Sequence, residues 1–266
     1  MRKEGGHITE ENNCLFEGIV SVRAVIKAMA EEKNGGRPAR KIERLYYDRD
    51  KTGSKEYAWL FHRSEEFGFP IETVSREVID ASAAGTSHGG ILAWCGERRF
   101  PIIDDRSLPP KGLFFMIDGI EDPYNYGYAL RSLWAAGADG VILSPRSWMS
   151  AAGAVCRASA GASEFMPMYR CPDDDELSAL KTVKRAGYRI IGADTANSIS
   201  VYDADLGRPL LMIVGGEKRG IRKSLYPLID LVVRLDYGRD FDMALSAASA
   251  ASILAFEVLR QNTVRR

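Results

Sequence analysis

The sequence predicts an α/β protein in two units, a small α/β unit followed by a larger one built on a parallel sheet. Three observations lead there. Apolar runs of strand length alternate with stretches of helical spacing along most of the chain. In the second half those runs are GLFFMIDGI, DGVILSP, RIIGADT, PLLMIVGG and LVVRLDY, largely apolar throughout, as strands covered by helices on both faces must be. Between the halves lies CGERRFPIIDDRSLPPKG, charged, carrying a Pro-Pro pair and lacking periodicity; it sets the boundary near residue 105 and the units at 1–104 and 105–266.

Taken in order, LFEGIVSVRAVIKAMAEE places Ile19, Val22, Val25, Ile26 and Met29 at near-helical spacing, and KNGGRPARK supplies the Gly and Pro of a helix exit. IERLYYD follows as a strand, YAWLFHRSEEF as a helix, FPIETVS as a short strand and SREVIDASAA as a helix ending before Gly85. In the second unit YALRSLWAAGA is a helix between the first two strands. The closing stretch, FDMALSAASAASILAFEVLRQ, is a long helix whose small side chains permit tight packing against the sheet or a second subunit.

Composition excludes several classes. With 45% hydrophobic and 27% charged residues the chain can bury a core in each unit. Its 36 basic residues balance 36 acidic ones, so nucleic-acid affinity has to come from a local basic face. Cys14, Cys95, Cys156 and Cys171 are widely spaced and only 3 histidines accompany them, which predicts no metal site and no disulfide framework, and a reducing cytoplasm as the setting. The N-terminus has no apolar core of a signal peptide, and no segment offers the ~20 apolar residues of a membrane span, so a soluble, untargeted protein is expected.

Chemistry can reside at three glycine-bearing strand ends. In DGIEDPYNYGYALRSL, Arg131 falls one and a half helical turns after Asn125, and its guanidinium fork suits a phosphate or a charged ribose oxygen. Asn125 as a plain helix cap with Arg131 solvated explains the same spacing. In LLMIVGGEKRGIRKSL a strand runs into Gly215, Gly216, Glu217 and Gly220, whose backbone can meet the edges of an adenine and a sugar, beside Lys218, Arg219, Arg222 and Lys223. It is neither a P-loop nor a dinucleotide fingerprint, and a basic strand-to-helix turn reads equally well. LDYGRDFDMALSAAS is on its own an ordinary β-to-α connection, and RASAGAS, Arg157 to Ser163, either lines a cleft or forms a turn.

In this order the stretches resemble the signature motifs of the SpoU (TrmH) family of RNA 2'-O-ribose methyltransferases, within the knotted SPOUT superfamily. Asn-x-Gly-x-x-x-Arg is matched by Asn125, Gly127 and Arg131, Gly-x-Glu-x-x-Gly by Gly215, Glu217 and Gly220, and Ser-Ala-Gly-Ala by Ser159 to Ala162. FEGIVSVRAVIKA and HGGILAW resemble the start and finish of the small N-terminal substrate domain of many members. The resemblance implies a C-terminal trefoil knot, an exception to the rule against threading. It further implies S-adenosyl-L-methionine held in the knot, with backbone contacts carried over to Gly215, Leu235 and Met243, and a homodimer whose cleft spans the interface.

The implied reaction is in-line attack of a ribose 2'-oxygen of tRNA or rRNA on the sulfonium methyl. Arg131 would clamp a phosphate and stabilise the oxyanion, with Asn125 and Glu217 shaping the cleft. Arginine stays protonated, so the proton would go to water or a phosphate oxygen. The third motif departs from the family's Ser-Leu-Asn-Val-Ser, because Asp242, Met243, Ala244, Leu245 and Ser246 stand there. Tyr124, Tyr126 and Tyr128 crowd the first motif as candidate stacking surfaces. In the first unit Arg37, Arg40, Lys41, Arg44 and Arg49 read as a phosphate-tracking edge, or as the surface of a stabilising appendage. Two further readings stand beside this one: an RNA-binding protein of the same fold with weak or lost catalysis, and a knotted enzyme methylating a base nitrogen. A dinucleotide oxidoreductase lacks its G-x-G-x-x-G.

Overall fold

The computed structural model describes residues 14–120, 122–144, 148–216, 219–240 and 243–264. The chain begins with β1 (Leu15–Glu17) and α1 (Gly18–Lys33), then β2 (Ile42–Asp48), α2 (Lys55–Phe67), β3 (Ile71–Val74), α3 (Arg76–Ser82) and β4 (Ile91–Cys95). Next come β5 (Leu113–Ile117), α4 (Pro123–Ala135), β6 (Gly140–Leu143), α5 (Ala152–Ala158), α6 (Ala162–Phe165), β7 (Met168–Arg170) and α7 (Glu176–Arg185). The last third holds β8 (Arg189–Ala193), β9 (Ile199–Ser200), β10 (Leu210–Val214), β11 (Leu231–Arg234) and α8 (Ala247–Val264).

Two units result, 1–99 with 149–165, and 100–148 with 166–266. The stretch 149–165 therefore folds with the first unit, although sequence reading placed it in the second. Small residues explain the difference. Gly153 lies against the carbonyl of Leu15 and Gly161 against Ala24, in each case so near that a Cβ would overlap. Ala152 and Cys156 consequently enter the first unit's core.

The first unit is a four-stranded sheet in the order β1-β4-β2-β3, with β4 antiparallel to both neighbours and β2 parallel to β3. Val22, Val25, Ile26 and Met29, the predicted apolar stripe of α1, pack with Phe16, Leu45, Tyr47, Ile91 and Ala93. Ser54 caps α2 by accepting from the Tyr57 amide, and Gly68, at φ +74°, ends it in the left-handed conformation glycine tolerates best. Arg40 corrects the predicted basic edge. It is 3% exposed, its Nε lies 3.1 Å from Glu164 Oε2, and it donates to the Gly96 carbonyl at 3.1 Å. A guanidinium so enclosed holds α6 to the sheet and is not presented to a ligand. Arg37 and Lys41 are exposed, as is Arg44, which stacks over Trp94 at 4.2 Å and Tyr46 at 5.5 Å.

The second unit is a seven-stranded sheet, order β7-β6-β5-β10-β8-β11-β9, in which every pairing is parallel. Phe114, Met116, Ile190, Leu211 and Ile213 pack with Ala179, Leu180 and Val183 of α7. The alternate residues Leu113, Phe115 and Met212 point to the opposite face and are equally buried. The Ala-rich α8 packs against α4 and β10, and its Ala251, Leu254, Ala255 and Val258 are inaccessible. Among the described residues no helix is long and apolar enough to cross a membrane, and no cluster of three or more potential ligands could hold a metal.

Candidate functional site

At the carboxyl ends of β8, β10 and β11 lies a cavity of about 260 Å³. Open α/β sheets place ligands at this edge because the strand-to-helix loops there are free to vary. Its walls are Ala193 to Thr195 after β8, Val214 to Gly216 with Gly220 after β10, and Val233 to Leu235 with Tyr237 after β11. Ala244, Leu245 and the first turns of α8 complete it.

The glycines are there for close approach. A Cβ on Gly215 would overlap Gly220 and the amide of Ile221, and one on Gly216 would strike the carbonyl of Gly119. Gly216 and Gly220 form an antiparallel bridge, with the Gly220 amide donating to the Gly216 carbonyl at 2.9 Å. The loop is thereby folded upon itself, with Gly220 at φ +59°. A bare backbone rim beside the apolar wall of Val214, Val233, Leu235 and Leu245 suits a flat heteroaromatic ligand, so the residues present fit the adenosyl group implied by the family resemblance.

Electrostatics fix the neighbouring loops. Tyr226 donates its hydroxyl to Asp194 Oδ2, while the amides of Thr195 and Ala196 donate to Oδ1 at 2.6 and 3.3 Å. Burial, with the Asp194 carboxylate beside it, pushes the Tyr226 hydroxyl up to about 12, so the phenol keeps its proton. Arg222, expected in a free basic cluster, instead pairs with two carboxylates. Its Nε lies 2.9 Å from Asp118 Oδ2 and it also pairs with Glu176, both acids being nearly inaccessible.

The structure brings together Gly215, Gly216, Gly220 and Leu235 in one cavity. Met243 is 68% exposed and its neighbours Ala244 and Leu245 take the wall position, a one-residue shift from the expected contact. Asn125 does not cap its helix. Asp122 does, accepting from the amides of Tyr124 and Asn125, with Pro123 as first helical residue. Asn125 is half-buried and Arg131 exposed on α4. Six residues of helix separate them by ~9 Å along the axis and ~120° around it, so they do not leave the same face. Neither lines the cavity. Arg219 is exposed, whereas Glu217, Lys218 and Asp242 lie outside the described residues.

Sequence reading missed Asp194, Tyr226 and the Asp118–Arg222–Glu176 group. For Asp194 a signal existed: an acid directly after the apolar run RIIGA, where a parallel strand delivers its loop.

Known proteins resemble the chain in sequence and in fold. The SpoU rRNA Methylase family matches residues 112–256. The 23S rRNA (guanosine-2'-O-)-methyltransferase RlmB of Pseudomonas syringae is 30% identical over 203 residues, covering 74% of this chain and 79% of the relative. RlmB of Photobacterium profundum is 26% identical over 95% of this chain and all of its own length. Among solved structures, the SpoU methyltransferase AviRb from Streptomyces viridochromogenes in complex with AdoMet superposes with a TM-score of 0.75 at 20% identity, over 94% of this chain and 90% of that one. An AdoMet-bound rRNA methyltransferase from Sinorhizobium meliloti gives 0.71 at 22% identity, over 92% and 86%. The match spans more than half the chain and takes in the cavity and α4 together: this protein belongs to the SpoU rRNA methylase family.

Proposed function

We propose that the protein methylates a ribose 2'-hydroxyl in structured tRNA or rRNA, working as a homodimer with S-adenosyl-L-methionine in the cavity above β8, β10 and β11. The observation that carries this reading is the glycine-walled cavity at the carboxyl edge of the sheet. Bound there, S-adenosylmethionine supplies a methyl group made electrophilic by its sulfonium. The chain's part is to hold, orient and neutralise. Gly215, Gly216 and Gly220 offer backbone at close range, and Leu235, Ala244 and Leu245 furnish apolar wall that excludes water.

Arg131 grips the phosphate beside the target ribose and stabilises charge building on the 2'-oxygen, while the proton passes to water or a phosphate oxygen. Asn125 and Glu217 shape the cleft. The Arg131 side chain makes no ion pair or hydrogen bond to any described residue and does not line its own chain's cavity, which suits a cleft completed by a second subunit. Tyr202, Ile253 and Phe256, all exposed around one shallow apolar hollow, suit the covering partner. The C-terminal trefoil knot belongs to the same reading, supported by β10 lying between β5 and β8 and by the cavity walls coming from the loops on both sides of β11. On the first unit Arg37, Lys41 and Arg44 contact RNA, joined by Lys218 and Arg219 of the glycine loop.

One observation favours a second reading, RNA binding with weakened turnover: Ala244 lines the cavity where the family pattern carries Asn. The deciding experiment is transfer of labelled methyl to total RNA, with ribose placement read by nuclease digestion and mass spectrometry. Arg131→Ala should cut turnover by at least ~100-fold with donor affinity unchanged. Full activity in that variant refutes the assignment.

A further inference from the structure

Two of the described residues lining the cavity carry charge, Asp194 and Arg234. Arg234 is committed elsewhere, its Nε 3.0 Å from Asp236 Oδ1 and its Nη1 donating to the Ser198 carbonyl at 2.7 Å. Asp194 forms no ion pair with any described residue. A carboxylate offers about four lone-pair sites. Three are taken, by Thr195, Ala196 and Tyr226, and the remaining one is on Oδ2. That oxygen stands against the glycine loop, 3.2 Å from where a Cβ on Gly220 would be. With Arg234 neutralised by Asp236, the one uncompensated charge among the described lining side chains is the negative charge of Asp194, fixed in place by a phenol and two amides.

We propose that Asp194 sets the cavity's preference for a methyl donor of net positive charge over its neutral demethylated product. The inference rests on the reading of this cavity as the S-adenosylmethionine site. The donor carries a carboxylate, an ammonium and a sulfonium, and loses only the sulfonium charge when its methyl leaves. Interactions with adenine, ribose and amino acid are shared by both molecules, so they cannot separate donor from product. A fixed carboxylate can, because its field acts on the one charge that differs. Tyr226 serves as the positioning residue, since its hydroxyl keeps Oδ2 beside the loop.

The test is calorimetric titration of S-adenosylmethionine and S-adenosylhomocysteine into the wild-type protein, Asp194→Asn and Tyr226→Phe. In Asp194→Asn the donor should weaken roughly tenfold while the product stays nearly unchanged. Tyr226→Phe retains the charge but releases Oδ2 from its position, so it should lower the donor-to-product ratio less than Asp194→Asn does. Equal weakening of both ligands in Asp194→Asn, as from loss of a shared hydrogen bond, overturns the proposal, and so does no change in either. Should Asp194→Asn fail to fold, a salt titration of the wild-type protein decides, since donor affinity must fall more steeply with ionic strength than product affinity. Parallel salt dependence overturns the idea. Binding of neither ligand to the wild-type protein refutes the cavity's assignment itself, a separate outcome.

Discussion

Gly216 shows how much one absent side chain decides. Its Cα packs on Gly119, which sits at φ +83° and has little room to shift. Gly216→Ala pushes a methyl into the Gly119 carbonyl, an overpacking that costs about 1–3 kcal/mol and must displace the loop. The expected result is a lower melting temperature together with weakened S-adenosylmethionine binding by calorimetry; a variant with native affinity would show that the loop is not held by this approach. The glycines were legible in the sequence because three of them follow an apolar strand within a short, ordered motif. Asp194 was signalled only by its place after a strand, where an acid is as readily a turn residue, and only the hydroxyl of Tyr226, 32 positions away, gives it a fixed direction.

At the level of elements, most helices and strands could be read from periodicity, and the exceptions have identifiable causes. β1 has only 3 residues, too few to show alternation, and runs straight into α1. Sequence reading offered Asn125 as the cap of α4, whereas Asp122 holds that place, and Pro123 accounts for it, since proline favours the first helical position and so marks its predecessor as the cap. The signal was present but outweighed by the motif that begins at Asn125.

The grip of the first unit on α6 was invisible, because pairing of Arg40 with Glu164 spans 124 residues. It yields a contrast between neighbours. Arg40→Ala leaves the Glu164 carboxylate buried without its partner, a loss of about 3–5 kcal/mol that a denaturant melt reads directly. Lys41→Glu, on an exposed side chain, should leave the melt unchanged and weaken RNA binding in a salt-dependent way. Equal melts for the two variants would remove the structural role given to Arg40.

For the whole molecule, balanced charge means that RNA affinity is a property of faces, and the proposed homodimer rests on α8. One side of that helix is spent on α4 and β10, while Ile253 at 38% and Phe256 at 48% exposure remain on the surface. Phe256→Asp should give a monomer by light scattering and lose methyl transfer, with the monomer still binding S-adenosylmethionine. A dimeric, active Phe256→Asp protein would place the interface elsewhere. The parallel sheet was legible from strands that are apolar throughout, but its order was not, because nothing local tells β10 to enter between β5 and β8.

The return of residues 149–165 to the first unit has a consequence for birth on the ribosome. The amino-terminal half emerges first, yet the places of Ala152 and Cys156 in its interior stay vacant until translation has moved well past it. Likewise the central sheet lacks a middle strand until residue 214 has left the exit tunnel. The first half cannot close until residue 165 has emerged and the second closes later still, so the nascent polypeptide waits, incompletely closed, for most of its synthesis.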